Sequence, residues 1–177
     1  TDSDSDSDSD ADTDADSDSD SDVDCGADYA TPAPNVCITG ALPCDGSVIY
    51  ATNIGGSTHY DMLAYEGVCE DWAASEPNDI YDGPERVYEI EVPGGQYASI
   101  FIDSPCATLD ARIIHGSEVC TDEIQTCGAP QYAGATKWEE LTFNSVYGGS
   151  AGERYEIVVE SYEGAMGNFS ISATCGN

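Results

Sequence analysis

The distribution of hydrophobic and polar residues divides the chain into two unlike parts. Residues 1–24 carry almost no apolar side chain: aspartate fills every even position, and Ser, Thr, Ala or Val fills the odd ones. Beyond residue 37, short runs of alternating apolar and polar residues are separated by clusters of Gly, Pro, Asn and Asp. Such alternation is typical of half-buried β-strands. We therefore predict an extended arm over 1–24, a Pro-containing junction over 25–36 and a β-domain over 37–177.

Three runs show the alternation most clearly: 86–92 (RVYEIEV), 154–160 (RYEIVVE) and 168–175 (NFSISATC). The predicted inward positions are Tyr88, Ile90 and Val92, then Tyr155, Ile157 and Val159, then Phe169, Ile171, Ala173 and Cys175. Glu89 and Glu91 are expected to face water. Further strand candidates are 47–52, 97–102, 109–115 and 140–146. Seven or eight strands with turn signals between them predict an all-β fold, an antiparallel β-sandwich or jelly roll.

The charge narrows the range of partners. The chain has 35 acidic and 4 basic residues and a net charge of −31, of which −19 remains on residues 25–177. Binding to nucleic acid needs clustered Lys and Arg, so this chain is not expected to bind it. Anionic membrane surfaces are disfavoured for the same reason. No stretch approaches the roughly 18 apolar residues of a membrane helix, so we predict no membrane span in this chain.

The cysteines point to an oxidising compartment. An even number of them in a small secreted-type chain favours disulfides, and zinc is disfavoured because no CxxC pair occurs. The eight are Cys25, Cys37, Cys44, Cys69, Cys106, Cys120, Cys127 and Cys175. Many pairings stay open. Cys120 and Cys127 flank a short loop and form the easiest local pair, whereas Cys25 could pair within the domain or with a neighbouring molecule.

Three segments of the β-domain are similar to a known family. The segments 83–95 (GPERVYEIEVPGG), 109–120 (LDARIIHGSEVC) and 151–175 (AGERYEIVVESYEGAMGNFSISATC) resemble the bacterial pre-peptidase C-terminal domain. The resemblance covers roughly residues 37–175 and implies a non-catalytic, jelly-roll-like sandwich in a secreted protein. Some members of that family bind calcium or extracellular polymers. The chain departs from the family pattern at Val159, Glu160 and Ser161, so no calcium ligand follows from it.

The repeat itself resembles the stalks of serine-aspartate surface adhesins, which are glycosylated on serine. An extended chain would place all its hydroxyls on one edge and its carboxylates, about 6.6 Å apart, on the other. The candidate O-glycan acceptors are Thr1, Ser3, Ser5, Ser7, Ser9, Thr13, Ser17, Ser19 and Ser21. The alternative is an unmodified acidic spacer. Because the chain begins inside the repeat without Met or a signal peptide, we expect its true start to lie upstream.

Candidate catalytic residues are few. The segment 148–152 (GGSAG) fits GxSxG, but it precedes a strand, whereas the motif requires a strand-to-helix elbow. His115 falls on the inward side of its predicted strand, where a hydrogen-bonded packing role is expected. Asn168 begins an N-glycan sequon at an outward strand position, which we interpret as coincidental. We therefore predict no catalytic residue, no enzyme activity and no required cofactor.

One acidic loop could bind calcium. The segment 76–85 (EPNDIYDGPE) carries Glu76, Asn78, Asp79, Asp82 and Glu85, and Ca²⁺ takes oxygen ligands of this kind. The strongest candidate ligands are Asp79, Asp82 and Glu85. A solvated acidic turn is the competing interpretation.

Two functions fit these features. The first is a non-enzymatic extracellular structural protein, a fibre or surface-stalk subunit that self-associates or attaches to the cell surface, with an O-glycosylated repeat. The second is an accessory binding module for polysaccharide, matrix or calcium in a secreted or lipid-anchored protein, with the repeat as a spacer.

Overall fold

A computed structural model describes residues 23–31, 36–60, 83–116, 152–161 and 164–176, and the backbones of two further strands, 124–128 and 138–144. The regular elements in these residues are all β-strands, which form one five-stranded and one four-stranded sheet. They are β1 (Ile38–Ala41), β2 (Ile49–Thr52), β3 (Arg86–Val92), β4 (Tyr97–Asp103), β5 (Leu109–Gly116), β6 (Ile124–Gly128), β7 (Trp138–Asn144), β8 (Glu153–Ser161) and β9 (Asn168–Gly176). No helix in this part of the chain is long and apolar enough to cross a membrane.

The strand pairing is that of a jelly roll. The five-stranded sheet has the order β1-β3-β8-β5-β6, and the four-stranded sheet has the order β2-β9-β4-β7. The antiparallel pairs β2–β9, β3–β8, β4–β7 and β5–β6 are nested, as if one long hairpin had been rolled up. Pairs β4–β9 and β5–β8 then join the rolled hairpin into two sheets. This arrangement of eight strands confirms the predicted antiparallel jelly roll.

Strand β1 was not predicted by the alternation. It pairs with β3 in parallel and lies at the edge of the five-stranded sheet. Its four residues, ITGA, are too few to show a period of two, and the register shifts between Ile38 and Gly40. Leu42 continues the contact beyond the strand, since its amide donates to the carbonyl of Glu89 at 2.8 Å.

The crossing from β3 to β4 shows how the sequence takes the chain from one sheet to the other. The four residues 93–96 (PGGQ) form a turn in which the Gln96 amide donates to the Pro93 carbonyl at 3.1 Å. Gly95 has a φ of 75° at the third position of this turn. A type II turn requires a positive φ there, which glycine adopts readily, so PGGQ suits this crossing.

The core lies between the two sheets and is formed by the predicted inward positions. Buried there are Tyr88, Ile90, Val92, Tyr155, Ile157, Val159, Phe169, Ile171 and Ala173, with Cys175 packed against them. The rings of Tyr88 and Phe169 meet edge-to-face with centroids 6.4 Å apart, which joins one sheet to the other. Burial also raises the pKa of Tyr88 to about 12. Glu91 is exposed and Glu89 half-buried, as expected for the opposite side of β3.

The outer side of the five-stranded sheet is partly buried, whereas the alternation of apolar and polar residues predicts that it faces water. Its central strand β8 is buried on both sides, including the side that carries Glu156, Val158 and Glu160. A second apolar cluster forms on that side from Tyr60, Val87, Ile114 and Val158, with Cys37 and Ile38 packed against it. Tyr60, which follows β2 and lies outside the strands, therefore covers part of this side, which alternation within β8 alone could not reveal.

Disulfides link the described parts of the fold. Cys25 bonds to Cys106, and Cys44 bonds to Cys175, across 81 and 131 residues of sequence. Cys37 is also disulfide-bonded. The prediction of disulfides is confirmed for these five cysteines, and Cys25 pairs within its own domain. The side chains of Cys69, Cys120 and Cys127 lie outside the described residues, so the Cys120–Cys127 pair stays a prediction.

Candidate functional site: the arm anchor

The chain is fixed to the sandwich at the point where the repeat ends. Val23, two residues after the last serine of the repeat, is buried. Two residues later Cys25 is joined to Cys106, which lies in the loop between β4 and β5. Gly167 lies so close to this loop that a Cβ atom on it would be 2.7 Å from the Ala107 Cβ. We call residues 23–29 and the groups that hold them the arm anchor.

Asn168, the first residue of β9, supplies the hydrogen bonds of the anchor. Its side-chain nitrogen donates to the carbonyl of Asp24 at 2.8 Å and to the carbonyl of Ala27 at 2.9 Å. The segment between them is a closed turn, because the Ala27 amide donates to the Asp24 carbonyl at 3.2 Å. The Gly26 amide donates to the Asp24 carboxylate at 2.8 Å. One buried side chain thus holds both ends of the turn.

An aromatic pair completes the anchor. The ring of Tyr29 stacks on the ring of Tyr50 in β2, with centroids 6.0 Å apart and planes inclined by 21°. The Tyr29 hydroxyl also accepts a hydrogen bond from the Asp24 amide at 3.3 Å. The anchor therefore combines a covalent bond, part-buried hydrogen bonds and a ring contact. Consequently the repeat leaves the domain from a fixed position.

The same hydrogen bonds show whether the Asn168 side chain of the N-glycan sequon is available as an acceptor. The residue lies on the outward side of β9, as the sequence predicts, but its side chain is buried against the anchor. A side-chain amide nitrogen has two hydrogens, and Asn168 uses both in the bonds to Asp24 and Ala27. A glycan would have to replace one of them, so the folded protein offers no acceptor here. The interpretation of the sequon as coincidental agrees with this contact.

The predicted O-glycan acceptors, Thr1 to Ser21, all lie outside the described residues, and they stay predictions. The GxSxG segment is described only at Gly152. His115 does lie where the sequence places it. Its Nε2 is 2.9 Å from the Glu153 carboxylate, and its ring lies 5.2 Å from that of Tyr155, with about a quarter of the side chain exposed. The expected hydrogen-bonded packing role of His115 is confirmed.

Glu85, a predicted calcium ligand, is buried and already holds a loop. Its carboxylate accepts hydrogen bonds from the Ser57 hydroxyl at 3.1 Å, from the Tyr60 amide at 3.1 Å and from the His59 amide. Burial raises the pKa of the Glu85 carboxyl although these bonds favour its charged form. Asp79 and Asp82 lie outside the described residues. Within the described ranges no three His, Cys, Asp or Glu side chains are grouped to hold a metal, and the calcium site stays a prediction.

Sequence reasoning did not find the buried charges. Arg112 lies in the middle of β5, and its Nε is 2.6 Å from the Glu160 carboxylate, with side chains 2% and 1% exposed. Arg86 is also buried and donates to the carbonyls of Thr52 and Ile54, both at 2.7 Å. These two arginines are half of the four basic residues in the chain. Their positions are the available sequence signal for burial, since Arg86 begins an apolar strand and Arg112 interrupts one.

Replacing Asn168 by alanine is expected to loosen the arm anchor without unfolding the sandwich. Two part-buried hydrogen bonds would be lost, at about 0.5–1.5 kcal/mol each. Hydrogen exchange of the Gly26 and Ala27 amides should become at least about fivefold faster, because 1.4 kcal/mol corresponds to a factor of ten. The matched control is Ser170→Ala, on the same side of the same strand. Equal exchange in both variants would contradict the role given to Asn168.

Glu85 is expected to make the folded protein less stable as the pH rises above about 4.5. A carboxyl whose pKa is raised by folding binds its proton more tightly in the folded state, so its contribution is complete below the unfolded pKa. It is lost as the pH rises through the higher folded value. Urea unfolding at pH 4 and pH 7 should show a smaller loss of stability in Glu85→Gln than in the native chain. An equal change in the free energy of unfolding between pH 4 and pH 7 in both proteins would refute this assignment.

Two chains of solved structures match the fold of this chain. The pre-peptidase C-terminal domain of collagenase from Bacillus anthracis aligns with 79% of this chain and 99% of its own length, at 16% identity and a TM-score of 0.47. No protein-family model matches the sequence. No curated protein matches it either. The assignment to the jelly-roll class rests on the strand pairing itself.

Proposed function

We propose that the chain is a non-enzymatic extracellular structural protein, a fibre or surface-stalk subunit whose Ser/Thr-Asp repeat is O-glycosylated. The arm anchor is the observation that carries this proposal. A passive spacer needs only a peptide bond to the domain that it separates from another. Here the end of the repeat is held by the Cys25–Cys106 disulfide and by the buried Asn168 side chain. Such an attachment suits an arm whose position matters.

The composition supports an extracellular location for this protein. Disulfides persist in oxidising compartments and are rare in the cytosol, and five cysteines of the described part are bonded. The repeat offers nine hydroxyls on alternate residues of a segment that could extend to about 80 Å. Repulsion between its aspartates favours extended conformations. An extended arm on a fixed base would present its modified hydroxyls at regular intervals.

Intact-mass spectrometry of protein isolated from its native source tests the modification. We expect a mass above that of the polypeptide, with the excess located by peptide mapping within residues 1–22. Peptides from residues 152–176 serve as the internal control and should have unmodified masses. A mass equal to that of the disulfide-bonded polypeptide would overturn the glycosylated-display function.

Electron microscopy of the same material tests assembly. Filaments, or molecules attached in rows to the cell surface, are expected for a fibre or stalk subunit. Monodisperse single molecules in the medium, with none at the cell surface, would overturn this part of the proposal.

A further inference from the structure

The two tyrosines of the arm anchor form a close pair of phenol rings. Tyr29 lies in the junction after the repeat and Tyr50 lies in β2, and their ring centroids are 6.0 Å apart with planes inclined by 21°. Carbon atoms in van der Waals contact are about 3.5–4.0 Å apart, so rings with this centroid distance are displaced sideways. The two phenols therefore meet along their edges, where the ortho carbons beside each hydroxyl lie.

This pair differs from the other aromatic contacts in its chemistry and its accessibility. The other ring contacts between described residues each pair a tyrosine with a histidine or with a phenylalanine, so they do not join two phenols. The Tyr50 side chain is 40% exposed and Tyr29 is half-buried. A small oxidant in the solvent can therefore reach both rings while the fold keeps them in contact.

We propose that Tyr29 and Tyr50 form an oxidative cross-linking site, at which a carbon–carbon bond joins the two phenols as dityrosine. Each phenol gives up one electron and one proton, and the two phenoxyl radicals join through their ortho carbons. The hydrogens on those carbons then move to the phenol oxygens, which restores both aromatic rings. Overall, two electrons and two protons pass to one molecule of hydrogen peroxide, which a haem peroxidase reduces to two molecules of water.

The folded chain holds the two phenols together, which favours a bond within one molecule. Groups held in contact react as if each were at a very high concentration. A bond between molecules would require two chains, each with a net charge of −31, to meet at their tyrosines against electrostatic repulsion. The expected product is therefore a cross-linked monomer, whose yield does not depend on the protein concentration.

The cross-link would strengthen the arm anchor without using a disulfide. It would close a loop of about 20 residues between the junction and β2. The Cys25–Cys106 bond already ties the same junction to the loop between β4 and β5, so the junction would be held covalently at two places. Disulfides favour an oxidising compartment, in which peroxide and a secreted peroxidase can act on the chain. The proposal does not depend on glycosylation or assembly, because both reacting residues belong to the folded domain.

Treatment of the full chain with hydrogen peroxide and a haem peroxidase tests the proposal. We expect dityrosine fluorescence, a monomer whose mass is lower by that of two hydrogen atoms, and a linked pair of peptides that map to residues 27–31 and 47–52. The variants Tyr29→Phe and Tyr50→Phe keep both rings but remove one phenol. Each should lower the yield of cross-linked monomer at least about tenfold, because no other phenol is held in the same position.

The matched control is Tyr97→Phe, which removes a phenol that is 51% exposed and that contacts no ring of the described residues. It should give the same yield as the native chain, and circular dichroism verifies that each variant is folded. Covalent dimers in place of the cross-linked monomer, or an equal yield from Tyr29→Phe and the native chain, would overturn the proposal. The same linked peptides are expected in protein from its native source, and their absence there would overturn the assignment as a natural modification.

Discussion

Substitution of Arg112 by methionine is expected to lower the free energy of unfolding by about 3–5 kcal/mol, because it leaves the Glu160 carboxylate buried without its cation. The pair joins the central strand β8 of the five-stranded sheet to its neighbour β5, and the Arg112 Nε lies 2.6 Å from Glu160. Both side chains are almost completely shielded from water. A carboxylate in such a place has little solvation to replace the lost partner.

The double variant Arg112→Met/Glu160→Leu tests whether that loss of stability comes from the unpaired buried carboxylate or from a net contribution of the ion pair. Replacement of a buried ion pair by apolar residues of similar volume is often neutral or stabilising, so most of the stability should return. The exposed pair Arg154–Glu89, at 3.2 Å, is the control, and Arg154→Met should cost no more than about 1 kcal/mol. Urea unfolding at pH 7 measures all three. A single variant as stable as the native chain would contradict the importance of the buried pair.

Removal of the Cys44–Cys175 disulfide is expected to lower the free energy of unfolding by about 2–5 kcal/mol. The bond spans 131 residues and joins the segment before β2 to the end of β9. Both cysteines pack against the core, and the Cys175 amide donates to the Cys44 carbonyl at 3.2 Å. A crosslink that closes a long loop restricts the unfolded chain most, which is why the expected effect is large.

The variant Cys44→Ser/Cys175→Ser, compared with Cys25→Ser/Cys106→Ser, locates this effect. Hydrogen exchange should rise first at the end of β9, at residues 173–176, in the former variant. In the latter it should rise first in residues 23–29, which belong to the arm anchor. Guanidinium unfolding of each oxidised variant provides the total stability. The assignment would be wrong if both variants exchanged faster in the same residues.

Local periodicity made the fold class predictable. The inward positions of β3, β8 and β9, such as Ile90, Ile157 and Ile171, were set by alternation alone, because a pleated strand sends successive side chains to opposite sides. Turn residues such as Pro93 and Gly95 marked the crossings between strands. These features are contained in a few consecutive residues. A single sequence therefore reveals them.

The contacts that join distant segments were not predictable in this way. Asn168 looks like an outward polar residue of an alternating strand, yet it is buried because the chain near Asp24 packs on it. Glu85 looks like a member of an acidic loop, yet it binds the amides of His59 and Tyr60. In each case the partner lies 25 or more residues away. Nothing in the local pattern distinguishes such a polar residue from one that faces water.

The positions of the two described disulfides have a mechanical consequence. The arm anchor lies at the first residue of β9, Asn168, while Cys175 lies near the last, about 23 Å further along the strand. A pull between the repeat and the carboxyl end would travel from Cys25 to Cys44 and cross directly to Cys175. Only the residues between Cys25 and Cys44, at most about 65 Å of chain, could then extend. Once this segment is taut, the Cys44–Cys175 bond would carry the load, and the jelly roll between these two cysteines could not be drawn out further.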